Sequence, residues 1–141
     1  LTKQNTDGRS RCVQADLLDE GFAKLCPQTF DLIFSDGLFE HFSEQNKDGI
    51  LKNFVSVLRD DGVIVTVVPN RWSPWQLIRP FLMPGIEEKP FVLGDLVRLH
   101  ERNGLTVFDG GGLNVLPFRF SPEVLAPKFG MLLYVMARKR L

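Results

Sequence analysis

The chain has 141 residues, 44% of them apolar, with 17 basic and 17 acidic side chains and a formal net charge of zero. That length supports one domain with a real core. The charge balance gives no broad attraction to nucleic acid or to an anionic membrane, no apolar run is long enough to span a bilayer, and no signal peptide opens the chain.

Leu1–Ser10 is polar and irregular, begins without Met, and reads as though entered mid-protein. Arg11–Ala15 is a short strand candidate ending at Asp16. Leu17–Thr29 is a connection with one helical turn near Phe22–Leu25. Cys12 and Cys26 lack metal-ligand spacing and read as reduced, mostly buried thiols, which suits the cytoplasm.

Phe30–Ser35 (F-D-L-I-F-S) is short and apolar, as in a strand buried in a parallel sheet. Ser35-Asp36-Gly37 is turn chemistry at its end, and Glu40-His41 follows. In open α/β sheets, ligands bind beyond the carboxyl ends of strands, so this polar cluster stands where such folds do chemistry. It can equally be a loop that caps the next helix.

Ser43 is a helix cap, and Ile50, Leu51, Phe54, Val55 and Leu58 recur at helical spacing up to about Arg59. Gly62 is expected to end that helix in the left-handed conformation. Val63–Val68 (V-I-V-T-V-V) is the clearest strand, which completes a βαβ unit. Residues 71–91 carry four prolines and two tryptophans, with Ser73-Pro74 opening a helix to about Arg79. A lid would occupy that position. Trp72, Trp75 and Phe81 either line a pocket or pack beneath the lid.

Val92–Asn103 is the next helix, stopped by Gly104, with His100 as a satisfied, partly buried side chain. Leu105–Asp109 and Met131–Ala137 are strands that pair antiparallel at the sheet's edge. Gly110-Gly111-Gly112 is followed by prolines, not by a helix start, so it is a bulge or turn and not a phosphate loop.

Q-A-D-L-L-D at Gln14–Asp19, F-D-L-I-F-S-D-G-L-F-E-H-F at Phe30–Phe42, L-R-D-D-G-V-I-V-T-V-V-P-N at Leu58–Asn70, and F-V-L-G-D-L-V-R-L-H-E-R-N-G-L-T-V resemble the class I S-adenosylmethionine-dependent methyltransferases. The resemblance implies an α/β fold: an incomplete Rossmann-like sheet, mostly parallel with an antiparallel last strand, and helices on both faces. Arg11–Ala15 would be the family's third strand, Phe30–Ser35 its fourth and Val63–Val68 its fifth. The late pair would be the sixth and seventh. The glycine-rich cofactor loop after the first strand is missing. The chain then reads as a single, amino-terminally truncated domain over 1–141.

Carried over by resemblance, Asp16 binds the adenine amino group of S-adenosyl-L-methionine and Leu17 meets the ring, although Asp16 also fits a helix cap. A charged hydrogen bond of that kind is worth about 1.5–3 kcal/mol. Ser35, Asp36 and Gly37 would pass the methionine end. His41 is the candidate general base, with a structural bridging role as the alternative. Glu40, Asn70, Trp72 and Trp75 are the candidate acceptor contacts. Relatives that methylate RNA ends hold a metal through Glu-x-x-Glu-His, but Gly37 stands at the first Glu position, so no metal is expected. The implied activity is methyl transfer to a small-molecule acceptor, with no nucleic-acid or membrane partner, and with the truncated chain inactive alone. The alternative is a non-catalytic α/β binding or scaffold module with the same architecture.

Overall fold

The computed structural model describes residues 13–26, 28–82, 84–85, 88–115 and 123–140. A turn of helix, α1 (Phe22–Leu25), precedes strand β1 (Phe30–Asp36). Helix α2 (Glu44–Val57) runs directly into β2 (Leu58–Pro69). Then come α3 (Trp75–Leu82), α4 (Leu93–Arg102) and β3 (Leu105–Leu113). A short helix α5 (Ala126–Phe129) leads to β4 (Leu132–Lys139).

The sheet order is β1-β2-β4-β3. β1 and β2 are parallel, with Ile33 opposite Ile64 and Asp36 opposite Val67. β4 runs antiparallel to both β2 and β3, so the last strand of the chain is inserted between the two before it. This is an α/β sheet with an antiparallel last strand. Its described strands form one parallel pair and two antiparallel ones.

Pleating sends alternate residues to opposite faces. Ile64, Val68, Leu133, Val135 and Ala137 point to one face and join Ile50, Leu51 and Phe54 of α2 and Leu96 and Leu99 of α4 in one core. Burying such a side chain contributes roughly 1.5–3 kcal/mol before entropy is counted. On the other face Leu32 and Phe34 are 58% and 62% exposed. The second helical layer implied by the resemblance is not found among the described residues.

Several sequence expectations need correction. Val13–Ala15 forms no strand, and Arg11 and Cys12 lie outside the described residues. A strand needs a neighbour, and among the described residues β1 pairs with β2 alone. Cys26 is free but only half-buried. Gly62 is not a helix terminator: the helix ends at Val57, and Gly62 lies inside β2. Its Cβ would stand 2.9 Å from the Phe30 carbonyl oxygen and 2.8 Å from the Leu58 side chain, so close approach selects glycine there. The triple glycine is neither bulge nor turn. It continues β3 to Leu113, and the register shift falls earlier, between Val107 and Asp109. A Cβ on Gly112 would collide with the Ala126 carbonyl of α5.

Other expectations match. Ser43 caps α2, its hydroxyl accepting from Asn46 N at 3.4 Å. Ser73 Oγ accepts from Trp75 N at 3.2 Å where α3 begins. Gly104 takes φ +80° after α4. His100 is fully buried and hydrogen-bonded through both ring nitrogens.

Candidate functional site

The carboxyl end of β1 turns sharply at Gly37, which holds φ +63°. Its amide donates to Val67 O at 3.2 Å, which fixes the bend against the end of β2. Left-handed backbone there favours glycine, and a Cβ would lie 3.4 Å from Glu40 Oε1. One turn of 3-10 helix follows, Phe39–His41. Phe39 anchors it, fully buried, with its ring edge-on to Phe54 at 6.2 Å. That anchor carries Glu40 inward to 3% exposure while leaving the His41 side chain 45% exposed.

A second segment closes over this turn. Lys89 N donates to Glu40 O at 3.1 Å, and Phe91 N donates to Pro69 O at 2.9 Å. Phe91 also bridges to Asn70. These ties bring Glu88 alongside Glu40. The first turns of α3 complete the wall. A cavity of about 220 Å³ results, lined by Gly37 and Glu40 on one side, Pro69, Met131 and Leu132 at the sheet, and Trp75, Gln76, Arg79 and Glu88 opposite.

Electrostatically the cavity is uneven. Burial pushes the Glu40 carboxyl above its ordinary value. Its own backbone amide and His41 oppose that shift, and the neighbouring Glu88 and Asp36 charges add to it. Glu40 Oε2 and Ser35 Oγ are both buried without a hydrogen-bond partner. His41 Nε2 is 3.9 Å from Glu40 Oε1, beyond hydrogen-bond length. Glu88 pairs with Arg79 at 3.1 Å.

The candidate residues separate into groups. Ser35, Asp36, Gly37, Glu40 and His41 share the rim above β1. Trp75 joins them across the cavity. Trp72 does not: it is 60% exposed and lines a different hollow beside Val92, Pro127 and Lys128. Asn70 is 1% exposed, and its side chain is committed to backbone. Its Nδ2 donates to Lys128 O at 3.0 Å and Gly130 O at 2.8 Å, and its Oδ1 accepts from Trp72 N at 3.1 Å.

Asp16 and Leu17 lie in a turn strapped to α2. Asn53 Nδ2 donates to Leu17 O at 2.8 Å and to Asp19 O at 3.0 Å. Asp16 Oδ1 accepts from Leu18 N at 2.9 Å, a local turn bond and not the helix cap that the sequence also allowed, since α1 begins at Phe22. Among the described residues no hydrogen bond joins this turn to Ser35–Gly37.

Sequence reasoning missed Gln76, Arg79, Glu88, Met131 and Leu132. For Arg79 a signal existed: a helix starting at Ser73-Pro74 puts it one turn from Trp75 on the same face. Glu88 sits in a proline-rich segment without periodicity, and nothing local marks it.

The family model of a methyltransferase domain matches residues 1–66. No curated protein matches the chain. Solved structures do. The pyocyanin biosynthetic protein PhzM superposes with TM-score 0.71 at 16% identity, covering 99% of this chain and 38% of its own. A TehB-like SAM-dependent methyltransferase from Corynebacterium glutamicum gives 0.62 at 23% identity, covering 98% and 60%. A neocarzinostatin-biosynthesis O-methyltransferase, NcsB1, solved with S-adenosyl-L-homocysteine and 1,4-dihydroxy-2-naphthoic acid, gives 0.66 at 12% identity, covering 99% and 37%. This chain thus spans less than two thirds of each of those proteins. Residues 1–66 thus resemble a methyltransferase domain in sequence, and the fold is shared with S-adenosylmethionine-dependent methyltransferases of known structure.

Proposed function

We propose that these residues serve methyl transfer from S-adenosyl-L-methionine to an oxygen, nitrogen or carbon of a small molecule. The observation that carries the reading is the cavity at the carboxyl ends of β1 and β2, where Gly37 and Glu40 face Trp75 across about 220 Å³. Ligands of open α/β sheets bind at that rim. One structural neighbour, an O-methyltransferase, was solved with a small aromatic molecule, 1,4-dihydroxy-2-naphthoic acid.

The rim also suits the methyl donor. Ser35 Oγ is buried with no partner, and the space beside Gly37 is one that a side chain would fill. Ser35, Asp36 and Gly37 would hold the methionine end, with Asp16 on the adenine amino group and Leu17 on the ring. When bound, S-adenosyl-L-methionine supplies a methyl group already activated on a sulfonium.

The chain's own residues then position the acceptor. Trp75 gives a flat apolar wall, and α3 with residues 71–91 acts as a lid that excludes water. Glu40 orients an acceptor O–H or N–H. His41, half-exposed at the mouth, takes the proton of a hydroxyl acceptor. Asn70 acts by holding the base of the lid, and Trp72 by packing outside the cavity.

Calorimetric titration of S-adenosyl-L-methionine tests this. Asp16→Ala is expected to weaken binding about tenfold or more, the loss of one charged hydrogen bond. Equal binding by the variant would remove Asp16 from the site. Binding by neither this chain nor one extended upstream would favour the non-catalytic scaffold, which the open face at Leu32 and Phe34 also allows. With that face uncovered, the 141 residues alone are expected to transfer little or no methyl.

A further inference from the structure

We propose that Glu40, His41 and Glu88 form a binding site for one divalent transition-metal ion at the mouth of the cavity. One ligand atom from each lies within 4.8 Å of the other two. All three are acceptors when the carboxylates are ionised and the imidazole is neutral at the facing nitrogen. Three acceptors converging in this way repel one another unless a cation or a proton lies between them. A proton shared between Glu40 Oε1 and His41 Nε2 does not fit, because they are 3.9 Å apart.

A second, independent observation points to the same place. Glu40 is 3% exposed, yet its Oε2 has no hydrogen-bond partner. Leaving a buried carboxylate oxygen orphaned is costly, so it calls for a ligand. The surrounding charge says which sign. Asp36 and Glu88 both place negative charge beside Glu40, and Arg79 pairs with Glu88. The remaining surplus of negative charge suits a divalent ion.

The geometry needs only small adjustment. Ligands about 2.0–2.2 Å from a tetrahedral ion stand roughly 3.3–3.6 Å apart. The half-exposed His41 side chain can close the remaining distance. One imidazole with two carboxylates selects a borderline ion such as zinc, cobalt or manganese over calcium or magnesium. Three protein ligands leave a coordination position open toward the cavity.

The inference stands apart from the methyl-transfer reading, since an ion can bind whether or not the methyl donor does. Cobalt(II) and zinc(II) alone are titrated into the chain, followed by visible absorption and calorimetry. The expected result is one ion per chain with micromolar or tighter affinity and the absorption bands of low-coordinate cobalt. Glu40→Gln, Glu88→Gln and His41→Ala are each expected to lose at least tenfold in affinity. His41→Ala removes only a half-exposed side chain, so its effect is readable even if the Glu40 variant alters the fold. No stoichiometric binding overturns the site. So does binding that Glu88→Gln and His41→Ala leave unchanged, which would place the ion on other surface acids.

Discussion

Thr66 Oγ1 and His100 Nε2 stand 2.9 Å apart, both residues wholly buried where α4 crosses β2. The other ring nitrogen, Nδ1, lies 2.8 Å from Leu96 O. A carbonyl can only accept, so Nδ1 carries the proton and Nε2 accepts from the Thr66 hydroxyl. The pair is a satisfied polar contact inside an apolar core, and it holds the imidazole neutral.

Acid should therefore weaken the fold through His100. Burial lowers its pKa from 6.5, opposed only in part by the Leu96 hydrogen bond. The unfolded chain then takes up a proton first as pH falls, and stability declines below about pH 6.5. Urea denaturation at pH 7.5 and 5.5 checks this. Thr66→Val is expected to cost about 1–3 kcal/mol by leaving Nε2 unpaired.

Gly112 should tolerate no side chain. Gly112→Ala drives a methyl into the Ala126 carbonyl, and overpacking against backbone costs about 1–3 kcal/mol or more. Gly94→Ala is the contrast. Its Cβ meets only the Arg98 Nη1 tip at 3.5 Å, and alanine in α4 should gain about 0.5–1 kcal/mol over glycine. Thermal melts of the two variants should move in opposite directions.

Asn70→Ala should loosen the corner beneath α3. It removes two bonds to the Lys128 and Gly130 carbonyls and one from the Trp72 amide. Several net bonds of about 0.5–1.5 kcal/mol each predict a loss of roughly 2–4 kcal/mol. Hydrogen exchange is expected to quicken at Trp72 and Gln76 before the β2 amides change.

Arg102 joins α4 to α2, with Nε 2.8 Å from Asp48 Oδ1 and Nη2 3.2 Å from Glu44 Oε2. These groups are partly exposed, so Arg102→Ala should cost no more than about 1 kcal/mol. The difference from wild type should shrink in high salt. Denaturation at two salt concentrations measures it.

Local chemistry made the β2 run V-I-V-T-V-V and the α2 face Ile50, Leu51 and Phe54 legible, because period and branching are written in adjacent residues. The rim at Ser35–Gly37 was legible for the same reason: a strand that ends in turn residues exposes its end. What failed was set by distant neighbours. Gly62 and Gly112 are glycines because Phe30 and Ala126 approach them, and neither approach is visible along the chain. Glu88 reaches Glu40 through the Lys89 amide, a contact made only after folding. Asn70 read as an acceptor contact from its place after β2, yet its amide is consumed by backbone.

Because β4 is the central partner of β3, residues 105–113 have no sheet hydrogen bonds until 132–139 arrive. During synthesis the β3 edge must wait, unpaired, until β4 has left the ribosome. A stop codon shortly before Leu132 would therefore remove two strands from the sheet, not one, and strip the cover from Val68 and Ile64. Lesions within β4 should behave as severely as lesions in β2.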